Sequence, residues 1–253
     1  LRLAIAAKSV SLCETQLDVG MRVLIIENIH STPWGNVGIA LEEAQAETVL
    51  KRPWQGDALP AHDDYDAIVV LGGEQSALDD EKHPYLPDLA QLMRRFGEAD
   101  KPVLGICLGS QLLARGHGGT NLLGQAREFG WREVRRTEAA ADDPVLSVVD
   151  DAFPIFEWHS DTFTLPEGAV RLATNDAAVN QCFRVGRASY GMQFHFEANR
   201  EVVETWVKTF PETVARMDPD WLPTYPQRAE TEGRVADAAG LAIARAWVRL
   251  IRP

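Results

Sequence analysis

The stretch with the clearest chemical content is Val103-Leu-Gly-Ile-Cys-Leu-Gly-Ser-Gln-Leu-Leu-Ala114. An apolar, strand-like run leads through Gly105-Ile-Cys107-Leu-Gly109 directly into a helical pattern. Glycines two places either side of a reactive residue let it sit on a tight strand-to-helix turn without colliding with its neighbours. A thiol there lies at a helix N-terminus, where unpaired N–H groups and the macrodipole favour the thiolate. The Leu108 backbone N–H points to where an oxyanion would form. Cys107 is therefore the candidate nucleophile, and the bland alternative is an inert buried cysteine at a strand end.

An activated cysteine needs a base, and the base needs an orienting group. Gly191-Met-Gln-Phe-His195-Phe-Glu197 offers both, with a strand delivering His195 and a carboxylate two residues on. Alone, the His195–Glu197 spacing would equally suit a surface ion pair or a metal ligand. The remaining histidines, His30, His62, His83, His117 and His159, lack the paired His/Cys spacing of a zinc site, so no metal is expected. Trp158-His159-Ser160-Asp161 is the other dense polar cluster, with His159 a weaker catalytic candidate.

Ile68-Val-Val-Leu-Gly72-Gly73 ends a further apolar run with two glycines, offering backbone N–H groups to a ligand or forming merely a tight βα turn. Gly116-His-Gly-Gly119 follows a helix instead of a strand, so dinucleotide binding fails on context.

These residues need a scaffold. Val23–Glu27, Thr48–Lys51, Ala67–Leu71 and Pro102–Ile106 read as strands, the apolar ones buried on both faces. Helical spacing covers Val37–Ala46 and Pro84–Gly97. The alternation predicts a doubly wound, mostly parallel α/β sheet with ligands at the strands' carboxyl ends. From Trp131 to Phe196 shorter pieces, Trp131–Arg135, Ile155–Trp158, Val170–Thr174, Asn180–Val185 and Ser189–Phe194, predict an antiparallel extension. Beyond lie C-terminal helices: one through Val202–Val214, a break at Pro219–Pro226, and a last one with Val235, Ala239, Ala242, Ile243, Ala246, Trp247 and Leu250 on one face. The division predicted is residues 1–20, an N-terminal extension that is either foreign to a native chain starting at Met21 or a genuine ordered arm; 21–198, the α/β domain; and 199–253, a helical extension that packs on that domain or, as the alternative, recruits a partner.

Composition narrows the function. The 253 residues carry 25 Lys+Arg against 37 Asp+Glu, a net charge of −12, which argues against gripping nucleic-acid phosphates or anionic lipid. Residues 199–253 hold 8 basic and 8 acidic groups, so the excess sits wholly in the first 198, which hold 17 and 29. Three scattered cysteines, Cys13, Cys107 and Cys182, make no disulfide framework and suit a reducing, cytoplasmic compartment. No apolar run approaches the roughly 18–20 residues of a membrane span. No signal peptide is read in residues 1–7, whose apolar stretch Lys8 interrupts.

Taken together, Leu71-Gly-Gly73, Gly105-Ile-Cys-Leu-Gly-Ser-Gln111 and Gly191-Met-Gln-Phe-His-Phe-Glu197 resemble the class I glutamine amidotransferase domain over roughly Met21–Glu197, and most closely its stand-alone, GMP-synthase-like members. The resemblance implies a flavodoxin-like fold and a Cys107–His195–Glu197 triad. It implies an oxyanion hole from the Gly73 and Leu108 N–H groups, and Gln111, Ser160 and Asp161 holding the amino-acid end of glutamine. It implies no cofactor. Glu74 stands where the family often has proline, and Phe196 where His-Pro-Glu is frequent. No ATP-binding synthetase sequence follows residue 197, so ammonia would pass to an acceptor on a separate synthetase subunit or another partner. Two other functions compete: a γ-glutamyl peptidase or hydrolase using the same triad, and a non-catalytic regulatory module, against which an intact triad argues.

Overall fold

The computed structural model describes residues 20–30 and 32–252. The expected extension, residues 1–20, lies outside them except for Gly20.

Five strands form the parallel part of a nine-stranded sheet: β1 (Arg22–Ile26), β2 (Glu47–Lys51), β3 (Ala67–Val70), β4 (Val103–Ile106) and β11 (Ser189–Met192). They lie in the order β2-β1-β3-β4-β11. The antiparallel part continues as β10 (Cys182–Val185), β9 (Val170–Thr174), β6 (Glu128–Arg136) and β7 (Ala152–His159). A two-stranded ribbon joins β5 (Asn121–Leu122) to β8 (Thr162–Phe163).

The apolar runs form buried strands because side chains alternate between two covered faces. Leu24, Ile26, Ile68, Val70 and Val103 pack under α2 (Leu86–Glu98) and α3 (Leu108–Gly116). Val23, Ile25, Val69, Leu104 and Ile106 face the other way. That second face is covered by α1 (Gly35–Glu43) and α7 (Arg234–Val248), which also pack on each other.

The chain after residue 199 shares this core: Trp206, Trp221 and Trp247 are buried in the same cluster as Val23 and Ile106. Three details differ from the sequence reading. The helix expected through Val202–Val214 is two, α4 (Arg200–Thr209) and α5 (Pro211–Met217), because Pro211 starts a new first turn. The expected break at Pro219–Pro226 contains α6 (Trp221–Arg228). Pro223 falls in its first turn, where N–H groups lack helical acceptors anyway, and Pro226 costs one hydrogen bond. The buried residues of α7 are Ala236, Gly240, Ile243, Ala244, Ala246, Trp247 and Val248, which include the expected Ile243, Ala246 and Trp247, while Val235 is exposed.

Candidate active site

The site lies where β3, β4 and β11 end. Cys107 follows β4 and immediately precedes α3, with φ 52° and ψ −108°. A left-handed φ at a non-glycine residue costs of order 1–3 kcal/mol and is kept only where the surroundings enforce it. Here β11 enforces it in part: Met192 pairs with Ile106, and the Cys107 N–H donates to the Met192 carbonyl at 2.8 Å. The same register carries the chain from Met192 to His195, beside the thiol. The His195 N–H donates to the Phe156 carbonyl at 2.8 Å, tying the segment to β7.

The three predicted triad side chains come together. His195 Nδ1 lies 2.7 Å from Glu197 Oε1, and Cys107 and His195 flank Gly72 together: a Cβ there would lie 3.1 Å from His195 Cε1 and 3.5 Å from Cys107 Cβ. Glu197 is fully buried behind the histidine. Its backbone carbonyl accepts from the Asn36 N–H at 2.9 Å, at the start of α1. Burial pulls His195 down, but the Glu197 carboxylate and the Cys107 sulfur outweigh it, and its pKa stands well above the usual histidine value. The Trp206 ring meets the imidazole edge-on, centroids 5.1 Å apart. Cys107 Sγ also lies 3.8 Å from the Trp158 carbonyl oxygen.

A cavity of about 950 Å³ opens over this group. Gly73, Leu108, Gln111, Ser160 and Asp161, all named from sequence, line it with Cys107 and His195. The Leu108 N–H heads α3 and has no acceptor within its own helix. The Gly72–Gly73 turn is braced from below: Asn28 Nδ2 donates to the Leu71 carbonyl at 2.7 Å, and Gln75 Nε2 to the Asn28 carbonyl at 2.5 Å. Gln111 Nε2 donates to Gln193 Oε1 at 3.2 Å. Asp161 Oδ1 accepts from the Gly124 N–H at 2.8 Å. Trp206 of α4, Phe210 at the junction with α5, and Thr213, Arg216 and Met217 of α5 also line the cavity.

The ring nitrogens of His159, the weaker candidate base, face other partners. Its Nε2 lies 3.2 Å from both Glu128 Oε2 and Glu157 Oε2, and its Nδ1 lies 3.0 Å from the Asp161 carbonyl oxygen. Burial lowers the His159 pKa, but its bonds to Glu128 and Glu157 prevail and raise it to about 10. Burial pushes Glu157 up to about 7, against the pull of His159. Ligand-type atoms of Glu128, Glu157 and His159 lie within 4.8 Å of one another. The imidazole bridges the two carboxylates itself, the role a metal cation would otherwise fill. Sequence reasoning missed Glu128, Glu157 and Trp206. Glu157 is two residues from His159, but Glu128 joins them only through the β6–β7 register, which pairs it with His159.

The family described as glutamine amidotransferase class-I matches residues 34–207. The glutamine amidotransferase-like protein YfeJ of Salmonella typhimurium is 33% identical over 157 residues, 60% of this chain and 66% of that protein. A GMP synthase [glutamine-hydrolyzing] of Christiangramia forsetii is 33% identical over 141 residues, 51% of this chain and 24% of the synthase. Gamma-glutamyl peptidase 3 of Arabidopsis thaliana is 28% identical over 148 residues, 56% of this chain and 58% of the peptidase. The chain thus spans less than two thirds of each of these relatives. The crystal structure of a glutamine amidotransferase from Thermotoga maritima superposes with a TM-score of 0.81 at 27% identity, covering 92% of this chain and 99% of that one. Among the described residues no helix is long and apolar enough to cross a membrane. The chain belongs to the class I glutamine amidotransferase family.

Proposed function

We propose that the protein hydrolyses the side-chain amide of glutamine through a thioester on Cys107. What supports this is the 2.7 Å His195–Glu197 bond beside Cys107, with Cys107 and His195 lining one cavity. The thiolate attacks the amide carbon, and the Gly73 and Leu108 N–H groups receive the oxyanion. His195 gives its proton to the departing nitrogen, the C–N bond breaks, and ammonia leaves. His195 then takes a proton from water, whose oxygen attacks the thioester; the C–S bond breaks, releasing glutamate and restoring the thiolate. Glu197 keeps the imidazole in the tautomer that faces the sulfur. Gln111, Ser160 and Asp161 hold the amino-acid end. Ammonia passes to an acceptor on a separate synthetase subunit, as the likeness to part of a GMP synthase suggests. A reducing, cytoplasmic setting suits the unpaired Cys107 and Cys182.

A second reading, γ-glutamyl peptide hydrolysis by the same steps, is favoured by the cavity. Its roughly 950 Å³ matches the upper end of sites for drug-sized ligands, and glutamine has ten heavy atoms. Incubation with glutamine and with γ-glutamyl dipeptides, scoring ammonia against released amine, separates the two. Cys107→Ala should abolish both activities in a folded protein. Turnover surviving in that variant would remove the covalent mechanism, and absence of ammonia from glutamine at every concentration would remove the first reading.

A further inference from the structure

Immediately behind the cavity, β6 and β7 enclose a charged cluster that the thioester chemistry does not use. Glu157 is fully buried, and the Glu128 and His159 side chains are 6% and 1% exposed. Glu128 is held on both oxygens: Asn175 Nδ2 donates to Oε1 at 2.6 Å and Gln181 Nε2 to Oε2 at 2.7 Å. His159 Nε2 faces Glu128 and Glu157, and Nδ1 faces the Asp161 carbonyl. The Asp161 carbonyl opposite Nδ1 can only accept, and Glu128, which takes N–H bonds from Asn175 and Gln181, is the acceptor opposite Nε2, so both nitrogens carry hydrogen and the side chain is an imidazolium. An unpaired buried charge is costly, so the anchored Glu128 carboxylate, with Glu157 Oε2 also 3.2 Å from Nε2, fixes the ring. The ring's other edge then fixes the backbone at Asp161, which with Ser160 lines the cavity.

We infer that His159 is a positioning residue: clamped between Glu128 and Glu157, it holds the Ser160–Asp161 backbone in place to receive the amino-acid end of the γ-glutamyl substrate. This rests on the reading of the cavity as a γ-glutamyl site. His159 acts through the backbone it holds and not on the sulfur, so its loss should weaken substrate capture and leave the nucleophile intact.

The decisive pair is His159→Asn and His159→Gln. Asn places a donor where Nδ1 stands, toward Asp161; Gln places one where Nε2 stands, toward the carboxylates. Both are neutral, and each keeps one of the two contacts, so a larger defect in His159→Gln assigns the substrate effect to the bond at Asp161 and a larger defect in His159→Asn assigns it to the carboxylate side. Two labels of Cys107 are compared: iodoacetamide, which needs only the reactive sulfur, and a diazoketone analogue of glutamine, which must also be held by its amino-acid end. In His159→Gln, diazoketone labelling should fall and the KM for glutamine rise by about tenfold, the effect of one charge-assisted hydrogen bond. Iodoacetamide labelling and kcat should change less than about twofold, and His159→Asn should recover most of the loss. Equal behaviour of the two variants, or parallel loss of both labels, would overturn the inference. Long-range nitrogen–proton NMR of labelled histidine supplies a readout independent of substrate. Two protonated ring nitrogens on His159 at neutral pH are expected, and a neutral tautomer would also overturn it. If the wild-type protein takes iodoacetamide but not the diazoketone, the γ-glutamyl reading fails instead, and the NMR result still decides whether the clamp exists.

Discussion

Gly105 and Gly109 meet across the turn that carries Cys107: a Cβ on Gly105 would lie 2.3 Å from the Gly109 carbonyl oxygen. A Cβ on Gly109 would lie 2.1 Å from the Val70 carbonyl oxygen. The obstacles are backbone atoms of α3 and β3, which cannot swing aside as a side chain does. Gly109→Ala should therefore destabilise the fold by about 1–3 kcal/mol through overpacking and displace the thiol. Urea unfolding and Cys107 alkylation should both register it. A wild-type midpoint with a wild-type alkylation rate would mean the turn has slack these distances deny.

Glu197→Gln tests the orienting carboxylate. The side chain is fully buried and its Oε1 receives the His195 Nδ1 proton at 2.7 Å. A carboxamide of the same shape can turn its own N–H toward the ring and favour the wrong tautomer. In a comparable serine-hydrolase triad this change costs about 10⁴ in kcat, so a loss of about 10²–10⁴ is expected, with the KM for glutamine nearly unchanged. Steady-state ammonia release measures it, and a loss below about threefold would deny Glu197 the role.

The same contact fixes a pH dependence. Burial lowers His195, while Glu197 and the Cys107 sulfur together raise it well above its ordinary value. A group whose native pKa is raised contributes stability that is complete below the unfolded value of about 6.5 and is lost as pH rises through the native one. Removing the Glu197 charge leaves burial in place, so the native pKa must fall. The pH profile of Cys107 alkylation in Glu197→Gln should have its histidine-dependent limb displaced toward acid. A limb that stays put, or moves toward alkali, would contradict the assignment.

Much of this was legible from residue types. The run Gly105-Ile-Cys-Leu-Gly109 announces its turn, since the close contacts around the thiol require glycines, and the apolar strands announce a sheet covered on both faces. His195 and Glu197 were legible because the orienting carboxylate lies two residues from the ring it holds. What was not legible depends on distant register. Glu128 reaches His159 only because β6 pairs with β7, and Trp206 reaches His195 only because α4 folds back over the sheet. Local rules also gave the wrong extent for the C-terminal helices: Pro223 and Pro226 read as a break, yet burying the neighbouring Trp221 in the core holds a helix there.

Glu157 gives a stability prediction of the opposite practical sign to most carboxylates. Burial lifts it from 4.5 to about 7. Its favourable contribution is thus complete below 4.5 and lost as pH rises through about 7. Glu157→Gln removes this titration, so relative to wild type the variant should gain stability between pH 5 and 8. Denaturant midpoints at those two pH values measure it. A difference between the proteins that is constant with pH would show that Glu157 is ionised throughout.

The part of the cavity wall contributed after residue 207 should decide substrate size and charge. Phe210, Thr213, Arg216 and Met217 line the cavity but lie beyond residue 207, where the family match ends. Arg216 forms no ion pair with a carboxylate among the described residues, although its Nη2 donates to Thr213 Oγ1 at 2.9 Å. A cation without a carboxylate at a cavity wall favours an anionic group on the ligand. If γ-glutamyl peptides are substrates, those ending in a free carboxylate should be preferred over their amides. Arg216→Gln should cut that preference by about tenfold, the scale of one exposed charge-assisted contact, while glutamine turnover changes less than about twofold. Measuring kcat/KM for a γ-glutamyl dipeptide, its amide and glutamine in both proteins tests this. Equal losses on all three would place Arg216 at the shared glutamyl end, and no loss on any would leave the wall without a role in selection.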